Sequence, residues 1–106
     1  MDTPRILRKD EALNIVRRYK EVIAPRFSPE MKVMMFGSYA KGHPHEWSDI
    51  DVAVIVPKVA PSEWLETSTN LCHDIHKVNV LIEPILLESG EDSPIYREVM
   101  RTGVVV

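Results

Sequence analysis

Apolar residues near the start of the chain recur every three or four positions, which is the spacing of an amphipathic helix. The positions concerned are Ala12, Leu13, Val16, Tyr19 and Ile23. Thr3-Pro4 or, further on, Asp10 would cap the start of this helix. Pro25 and Pro29 follow the last apolar position and predict the end of the helix.

Three later runs of apolar residues predict β-strands at 31–36, 49–56 and 78–87. The first two are apolar on both strand faces below their polar ends, which is typical of covered strands. Residues 62–77 predict a helix capped by Ser62. A strand, a helix and a strand in this order predict a parallel pair joined by a right-handed crossover. The apolar positions of this second helix are Trp64, Leu65, Leu71, Cys72 and Ile75.

The end of the chain predicts a short helix followed by a small strand. Ser93-Pro94 would start the helix, Gly103 would end it, and residues 104–106 would join the sheet or dock on the core. The order of elements predicts an α/β (α+β) fold with a small mixed β-sheet flanked by helices. A chain of 106 residues has room for one core, so a single domain spanning 1–106 is expected.

Composition narrows the class of protein and of partner. The apolar fraction of 44% and the charged fraction of 27% are those of an ordinary globular protein. No apolar run approaches the roughly 18 residues that span a bilayer, and the start lacks a signal-peptide core, so a cytoplasmic protein without a membrane partner is expected. The net charge of −3 argues against a long nucleic acid, which normally requires a basic surface.

The one cysteine, Cys72, has no partner for an internal disulfide, which agrees with a reducing compartment. Its position on the apolar side of the helix predicted at 62–77 indicates a buried small residue rather than a nucleophile.

Asp49 and Asp51 stand at the head of the second apolar run. Residues i and i+2 of a strand project from the same face, so both carboxylates would point into one small volume. Two like charges so close repel each other unless a divalent cation lies between them, and such hard oxygen ligands suit Mg²⁺ or Mn²⁺. Mg²⁺ usually completes its coordination with water and phosphates, so a nucleoside triphosphate is the expected ligand.

Gly37-Ser38 directly follows the first predicted strand. A glycine lets the backbone pass close to a phosphate, and a serine at a helix start offers a hydroxyl and backbone N–H groups to an anion. Lys41 would either meet the triphosphate as a point charge or lie on the surface. His43 and His45 would face the nucleotide or solvent, because the proline between them and the lack of a Cys/His cluster argue against structural zinc.

Glu83 is the one acidic residue in the third apolar run. A carboxylate in the middle of a covered strand needs a partner, and a cation held by Asp49 and Asp51 on the adjacent strand would supply one. Alternatively, Glu83 lies at a sheet edge near Pro84 and reaches solvent.

The pattern that begins at Gly37, namely G-S, ten residues and then D-x-D at the head of an apolar strand, resembles the nucleotidyltransferase signature of the DNA polymerase beta superfamily. The segment GSYAKG…SDIDVAV is similar to the corresponding segment of the minimal nucleotidyltransferases in particular. The resemblance extends from about Met31 to the end of the chain. It implies the nucleotidyltransferase (DNA polymerase beta-like) fold.

The resemblance also implies metal-dependent transfer of a nucleoside monophosphate to an acceptor hydroxyl, with AMP from ATP as the favoured case. The catalytic residues, which would also hold two Mg²⁺ ions or Mn²⁺ in their place, would be Asp49, Asp51 and Glu83. The triphosphate would be bound by Gly37, Ser38 and Lys41.

Minimal nucleotidyltransferases typically act beside a helical partner of the HEPN type. The resemblance therefore implies an antitoxin whose AMP acceptor is a tyrosine of that toxin. A homodimer would equally cover the surface left by the further domains of larger superfamily members. Two other functions stay open, a non-catalytic module that neutralises its partner by contact and a transferase acting on a small molecule such as an aminoglycoside. The complete set of three carboxylates favours the enzyme.

Overall fold

The computed structural model describes residues 6–44 and 48–106. Within these ranges the chain forms one four-stranded sheet and four α-helices. The strands are β1 (Lys32–Phe36), β2 (Ile50–Val56), β3 (Ile82–Glu88) and β4 (Val104–Val105). The helices are α1 (Lys9–Ile23), α2 (Gly37–Lys41), α3 (Trp64–Asp74) and α4 (Pro94–Thr102). None of the helices in the described ranges is long and apolar enough to cross a membrane.

The sheet is mixed, with the strand order β3-β2-β1-β4. β1 runs antiparallel to β2 and β4, whereas β2 and β3 are parallel and are connected through α3. The predicted mixed sheet, the parallel pair and the small last strand are therefore confirmed. The registers place Asp51 of β2 opposite Phe36 of β1 and Glu83 of β3, so these residues form one row across the sheet.

Helices cover both faces of the sheet, because the apolar side chains of β1 and β2 alternate between the two faces. One face packs against α1, α2 and α3 around the buried side chains of Val16, Tyr19, Val52 and Leu71. The other face packs against α4, whose Val99 is fully buried. Asp51 shares the alternation of Ala53 and Ile55, which lie on the α4 face, so its carboxylate belongs to that face.

The start of α1 differs from the prediction. The helix begins at Lys9, and Asp10 lies in its first turn rather than at its cap. The carboxylate of Glu11 accepts a hydrogen bond of 2.9 Å from the backbone N–H of Arg8, which satisfies a donor at the helix start. Thr3-Pro4 lies outside the described residues. The predicted apolar stripe is confirmed, with Leu13 partly buried and the other four positions fully buried.

The helix predicted at 62–77 has a different start and a different buried face. Residues 61–63 form a 3₁₀ turn, so Ser62 is not the cap, and another 3₁₀ turn follows α3 at 75–77. Leu65 is 78% exposed and Cys72 is exposed, so the predicted burial of Cys72 is wrong. The buried face contains Leu71 and Asp74. Cys72 lies about 100° around the helix from Leu71 and points away from the core.

β3 begins four residues later than predicted, at Ile82 rather than residue 78, and forms an edge of the described sheet. The preceding residues instead form turns that follow α3. The backbone groups of Leu81 and Ser89, on either side of the strand, bond to β2. Backbone hydrogen bonding alternates along a strand. The N–H and C=O groups of the odd-numbered residues of β3 therefore point toward β2, and those of the even-numbered residues point away from the sheet.

The outward side of β3 offers few free backbone donors. Pro84 has no N–H group. The N–H of Glu88 donates to the Glu91 carboxylate at 2.7 Å, and the N–H of Ile82 donates to the carbonyl of Asn79 at 3.2 Å. Leu86 is the remaining outward position of the strand.

An ion pair between a half-exposed arginine and a buried aspartate connects the turn after α1 to the end of α3. Asp74 is buried, and its carboxylate accepts two hydrogen bonds from the Arg26 guanidinium, at 2.6 and 3.1 Å. Lys77 adds an ion pair at 3.4 Å. The Arg26 guanidinium holds the pKa of Asp74 below its usual range. Close by, the Tyr19 hydroxyl donates to the Leu71 carbonyl at 2.7 Å, so both contacts fix α1 against α3.

We expect Asp74→Ala to lower the free energy of unfolding by about 2 kcal/mol, because it leaves the Arg26 guanidinium unpaired. This figure is below that for a fully buried pair, since the Arg26 side chain is 40% exposed. The pKa of Asp74 is lower in the folded state than in the unfolded state. Its stabilisation is therefore complete above the usual pKa of 3.8 and is lost as the pH falls through the lower folded value.

Urea unfolding of the wild type and Asp74→Ala between pH 3 and pH 7 measures this effect. The difference between the two proteins should shrink toward the acid end. Lys77→Ala is the matched control, and it should cost less than about 0.5 kcal/mol because the Lys77 side chain is 63% exposed. A difference that stays constant over this pH range would contradict the assignment of the effect to the Asp74 charge.

Candidate active site

Three carboxylates lie at one end of the parallel strand pair. Asp49 immediately precedes β2, Asp51 is its second residue, and Glu83 is the second residue of β3. Asp51 and Glu83 are register partners on adjacent strands. Asp49 and Glu83 are exposed, whereas Asp51 is partly buried. The structure thus brings the three predicted carboxylates to the same end of the sheet.

The electrostatics show that these groups act on one another. Burial, followed by the charge of Asp49, raises the pKa of Asp51. A hydrogen bond with Asp49 raises the pKa of Glu83, with smaller contributions from burial and from the charges of both aspartates. In the described part of the chain, no Lys, Arg or His forms an ion pair with any of the three. The acidic cluster therefore lacks an internal counter-charge there.

Gly37 lies directly against Asp51. Its φ of +75° is in the left-handed region, which side chains rarely adopt. A Cβ atom at this position would lie 3.0 Å from Cγ of Asp51 and nearer still to its Oδ2. The turn from β1 into α2 can approach the carboxylate this closely only because residue 37 has no side chain.

α2 begins at Gly37-Ser38, as the sequence predicted, and is one short segment of five residues. Ser38 is in its first turn and partly buried. Gly42 caps the end of the helix, and its N–H donates to the Ser38 carbonyl. The Gly-Ser turn and the carboxylates, which the sequence separates by ten residues, are therefore adjacent in space.

Lys41 and the histidines contribute less directly to this cluster. The Lys41 ammonium forms an ion pair of 2.9 Å with Glu98 of α4. His43 is exposed, and its backbone N–H donates to the Ser38 carbonyl. His45 lies outside the described residues. Sequence reasoning missed Glu98, because no local spacing relates a residue of α4 to one of α2.

The position of Glu83 differs in part from the prediction. A carboxylate in the middle of a covered strand was expected, whereas Glu83 lies near the start of an edge strand and is exposed. The alternative, an edge position near Pro84 that reaches solvent, describes its exposure correctly. Glu83 nevertheless contacts Asp49 and is the register partner of Asp51, so its location beside the two aspartates is as expected.

The donor set fits a divalent cation through two carboxylates. Across the described residues, no group of three or more His, Cys, Asp and Glu side chains is arranged to hold a metal ion. Mg²⁺, however, commonly takes one or two protein carboxylates and completes its coordination with water and phosphates. Asp49 and Asp51 provide that number of hard oxygen ligands.

A cleft of about 760 Å³ lies at the opposite end of β2. Its lining includes Arg26, Phe27, Val56, Lys58 and Asn70, and none of the predicted site residues. The Arg26 guanidinium in this cleft is already bound to Asp74. We assign the chemistry to the end of the sheet that holds Asp49, Asp51 and Glu83, because the two carboxylates that line the cleft, Glu30 and Glu63, have no Gly-Ser turn beside them.

The chain is similar to known proteins in both sequence and fold. Residues 16–97 match the family model of the nucleotidyltransferase domain. A Methanocaldococcus jannaschii protein provisionally named a protein adenylyltransferase is 28% identical over 98 residues, which cover 91% of this chain and 99% of that protein.

Two solved structures share the fold. A protein from Sulfolobus solfataricus, provisionally named a nucleotidyltransferase, matches with a TM-score of 0.70 at 21% identity, covering 92% of this chain and 80% of that one. A variant of the toxin–antitoxin MntA–HpeT matches with a TM-score of 0.50 at 19% identity, covering 95% of this chain and 72% of that one. The predicted nucleotidyltransferase fold is confirmed.

Proposed function

We propose that this chain, which belongs to the nucleotidyltransferase domain family, transfers AMP from ATP to an acceptor hydroxyl with the help of Mg²⁺ or Mn²⁺. The observation that carries the proposal is the contact of Gly37 with Asp51. It places a backbone turn suited to phosphate beside carboxylates suited to a divalent cation. A triphosphate with its metal would use both features at once.

The aspartates would hold the metal. When bound, divalent cations neutralise charge that develops on the phosphoryl oxygens. Asp49 and Asp51 would hold the ion that carries the triphosphate, and Glu83 would complete the site of a second ion. Burial raises the pKa of Asp51 and a hydrogen bond with Asp49 raises that of Glu83, and the neighbouring negative charges add to both shifts. A cation between the carboxylates would relieve this charge repulsion.

The remaining roles follow from position. Ser38 and the backbone of Gly37 would orient the triphosphate. The acceptor oxygen would form a bond to the α-phosphorus as the bond to the pyrophosphate oxygen breaks, and Glu83 or Asp51 would take the acceptor proton.

The acceptor that we propose is a tyrosine of a helical partner of the HEPN type, with this chain as the antitoxin. Three findings support this choice, namely the GSYAKG…SDIDVAV resemblance, the naming of the archaeal relative as a protein adenylyltransferase, and the fold shared with MntA–HpeT.

Incubation of the purified chain with labelled ATP, Mg²⁺ and a candidate helical partner of the HEPN type tests the function. We expect the intact mass of the partner to increase by one or more AMP units. EDTA should prevent the increase, because Asp49 and Asp51 would act on a metal-bound triphosphate. Mg²⁺ or Mn²⁺ added in excess should restore it. Tandem mass spectrometry should place the AMP on a tyrosine.

Each part of the proposal can fail separately. Transfer that persists in EDTA would contradict metal dependence, and AMP on another residue type would contradict the tyrosine acceptor. If none of the four nucleotides labels the partner while the two proteins still form a tight complex, the chain is a binding module and the enzymatic proposal is wrong.

A further inference from the structure

The last residue of α2 is held by α4. The Lys41 ammonium lies 2.9 Å from Oε1 of Glu98, and Arg101 of α4 also bonds to the Glu98 carboxylate. The side chains of Lys41 and Glu98 are 46% and 31% exposed, so solvent only partly screens the pair. These two cations lower the pKa of Glu98, which keeps the carboxylate charged at neutral pH.

α4 is a rigid support for this carboxylate. Val99, the next residue after Glu98, is fully buried against the sheet. Gly103 fits so closely at the helix end that a Cβ atom there would lie 2.5 Å from the Val99 carbonyl oxygen and 3.0 Å from the Met34 side chain. β4 then pairs with β1 directly after Gly103. The contacts of Val99 within α4, and those of Gly103 and β4 after it, thus fix the position of Glu98 relative to the sheet.

α2 depends on its surroundings for its orientation. A five-residue helix is far too short to be stable alone. Its start is set by the approach of Gly37 to Asp51, and its middle by the buried residues Tyr39 and Ala40. Its end is tied to α4 by the Lys41 ion pair. The Gly-Ser turn can hold a fixed direction toward Asp51 only if both ends of this short segment are held.

We propose that Glu98 is a positioning residue for nucleotidyl transfer, acting through Lys41 to fix the orientation of α2 and its Gly37-Ser38 turn relative to Asp51. The inference rests on the proposed function and changes the role expected for Lys41. Lys41 holds α2 to α4 instead of contacting the triphosphate. The opposite arrangement, in which Lys41 leaves Glu98 to bind phosphate, makes different predictions for the same variants.

Four variants separate the two arrangements: Lys41→Gln, Glu98→Gln, the double variant that combines them, and the charge exchange Lys41→Glu with Glu98→Lys. The first measurement is amide hydrogen exchange in Ser38 to Lys41 without nucleotide. We expect both single variants to speed exchange about three- to fivefold, the double variant to add nothing further, and the charge exchange to restore slow exchange. Arg97→Gln, which removes an exposed ion pair with Asp92 of the same region, is the control and should leave α2 unchanged.

The second measurement is kcat/KM for labelled ATP. The two single variants should lose activity equally, by about three- to fivefold, and the charge exchange should recover most of it. The proposal is overturned if Lys41→Gln loses about 100-fold or more while Glu98→Gln is neutral or more active, because Lys41 would then act on the nucleotide itself. It is also overturned if neither single variant changes exchange in α2. Since exchange needs no catalysis, a wild type that transfers no AMP would refute the proposed function and still leave the role of Glu98 decided.

Discussion

Asp51→Asn is expected to lower the rate of AMP transfer by at least about 1,000-fold while leaving the chain folded and somewhat more stable. Asparagine has the shape of aspartate, but it has no charge to hold a divalent cation. Asp51 lies between the Gly37 turn and Glu83, so its loss should affect both the metal and the triphosphate. Label transfer under single-turnover conditions measures the loss.

The gain in stability follows from the sign of the pKa shift. The pKa of Asp51 is higher in the folded state than in the unfolded state, because burial and the Asp49 charge disfavour its ionised form. Ionised Asp51 therefore lowers stability as the pH rises above its usual value of 3.8, and the neutral amide removes this cost. In EDTA at pH 7, Asp51→Asn should have a higher Tm than the wild type, and the difference should shrink toward pH 4.

The control is Asp92→Asn, which removes an exposed carboxylate just before the Ser93 cap of α4. It should leave both transfer and Tm nearly unchanged. Loss of folding in Asp51→Asn would contradict a role for Asp51 in chemistry rather than in stability. A lower Tm in EDTA would show that Asp51 has a favourable partner that the shift in its pKa does not reflect.

Gly37→Ala is expected to lower transfer by about 100-fold, because its methyl group would displace the Asp51 carboxylate by the order of 1 Å. The added Cβ atom would lie 3.0 Å from Cγ of Asp51 if neither residue moved. Because the φ of residue 37 is positive, an alanine there should also lower the free energy of unfolding by about 1–2 kcal/mol. Kinetics and urea unfolding of the same protein sample measure the two effects separately.

Gly42 provides a matched control at the other end of α2. Its φ of +79° is nearly the same as that of Gly37, and a Cβ atom there would have nothing within 4 Å. Gly42→Ala should therefore cost a similar backbone energy but keep transfer within about threefold of the wild type. Equal loss of activity in the two variants would show that the backbone strain of α2, and not the clash with Asp51, controls the reaction.

Local sequence patterns were sufficient to predict that the aspartates, Glu83 and the Gly-Ser turn lie close together. The spacing of Asp49 and Asp51 follows from strand geometry, and the Gly-Ser pair marks a turn that the structure places against Asp51. The parallel pairing of β2 with β3 followed from the order of elements, and it brings Glu83 to the same end. In each case one short segment or one connection rule contains the information.

Contacts between distant segments explain the failures. The buried face of α3 includes Asp74, a polar residue that periodicity assigns to solvent, because Arg26 from the end of α1 neutralises it. Cys72 is exposed for the same reason, since the helix turns that polar position inward. The pairing of Lys41 with Glu98 likewise depends on α4 lying over the sheet. No local spacing in the sequence encodes these partners.

The outward side of β3 limits how this protein can assemble. A second chain that extends a sheet needs a row of free N–H and C=O groups, and such open edges also favour aggregation. Pro84 and the Glu88 bond to Glu91 interrupt that row, so neither a copy of this chain nor an extended peptide gains a continuous backbone ladder at β3. A partner that approaches the carboxylate end along β3 must then be recognised through side chains. Side-chain contacts of this kind can differ between related pairs of interacting proteins while the backbone of the sheet stays the same.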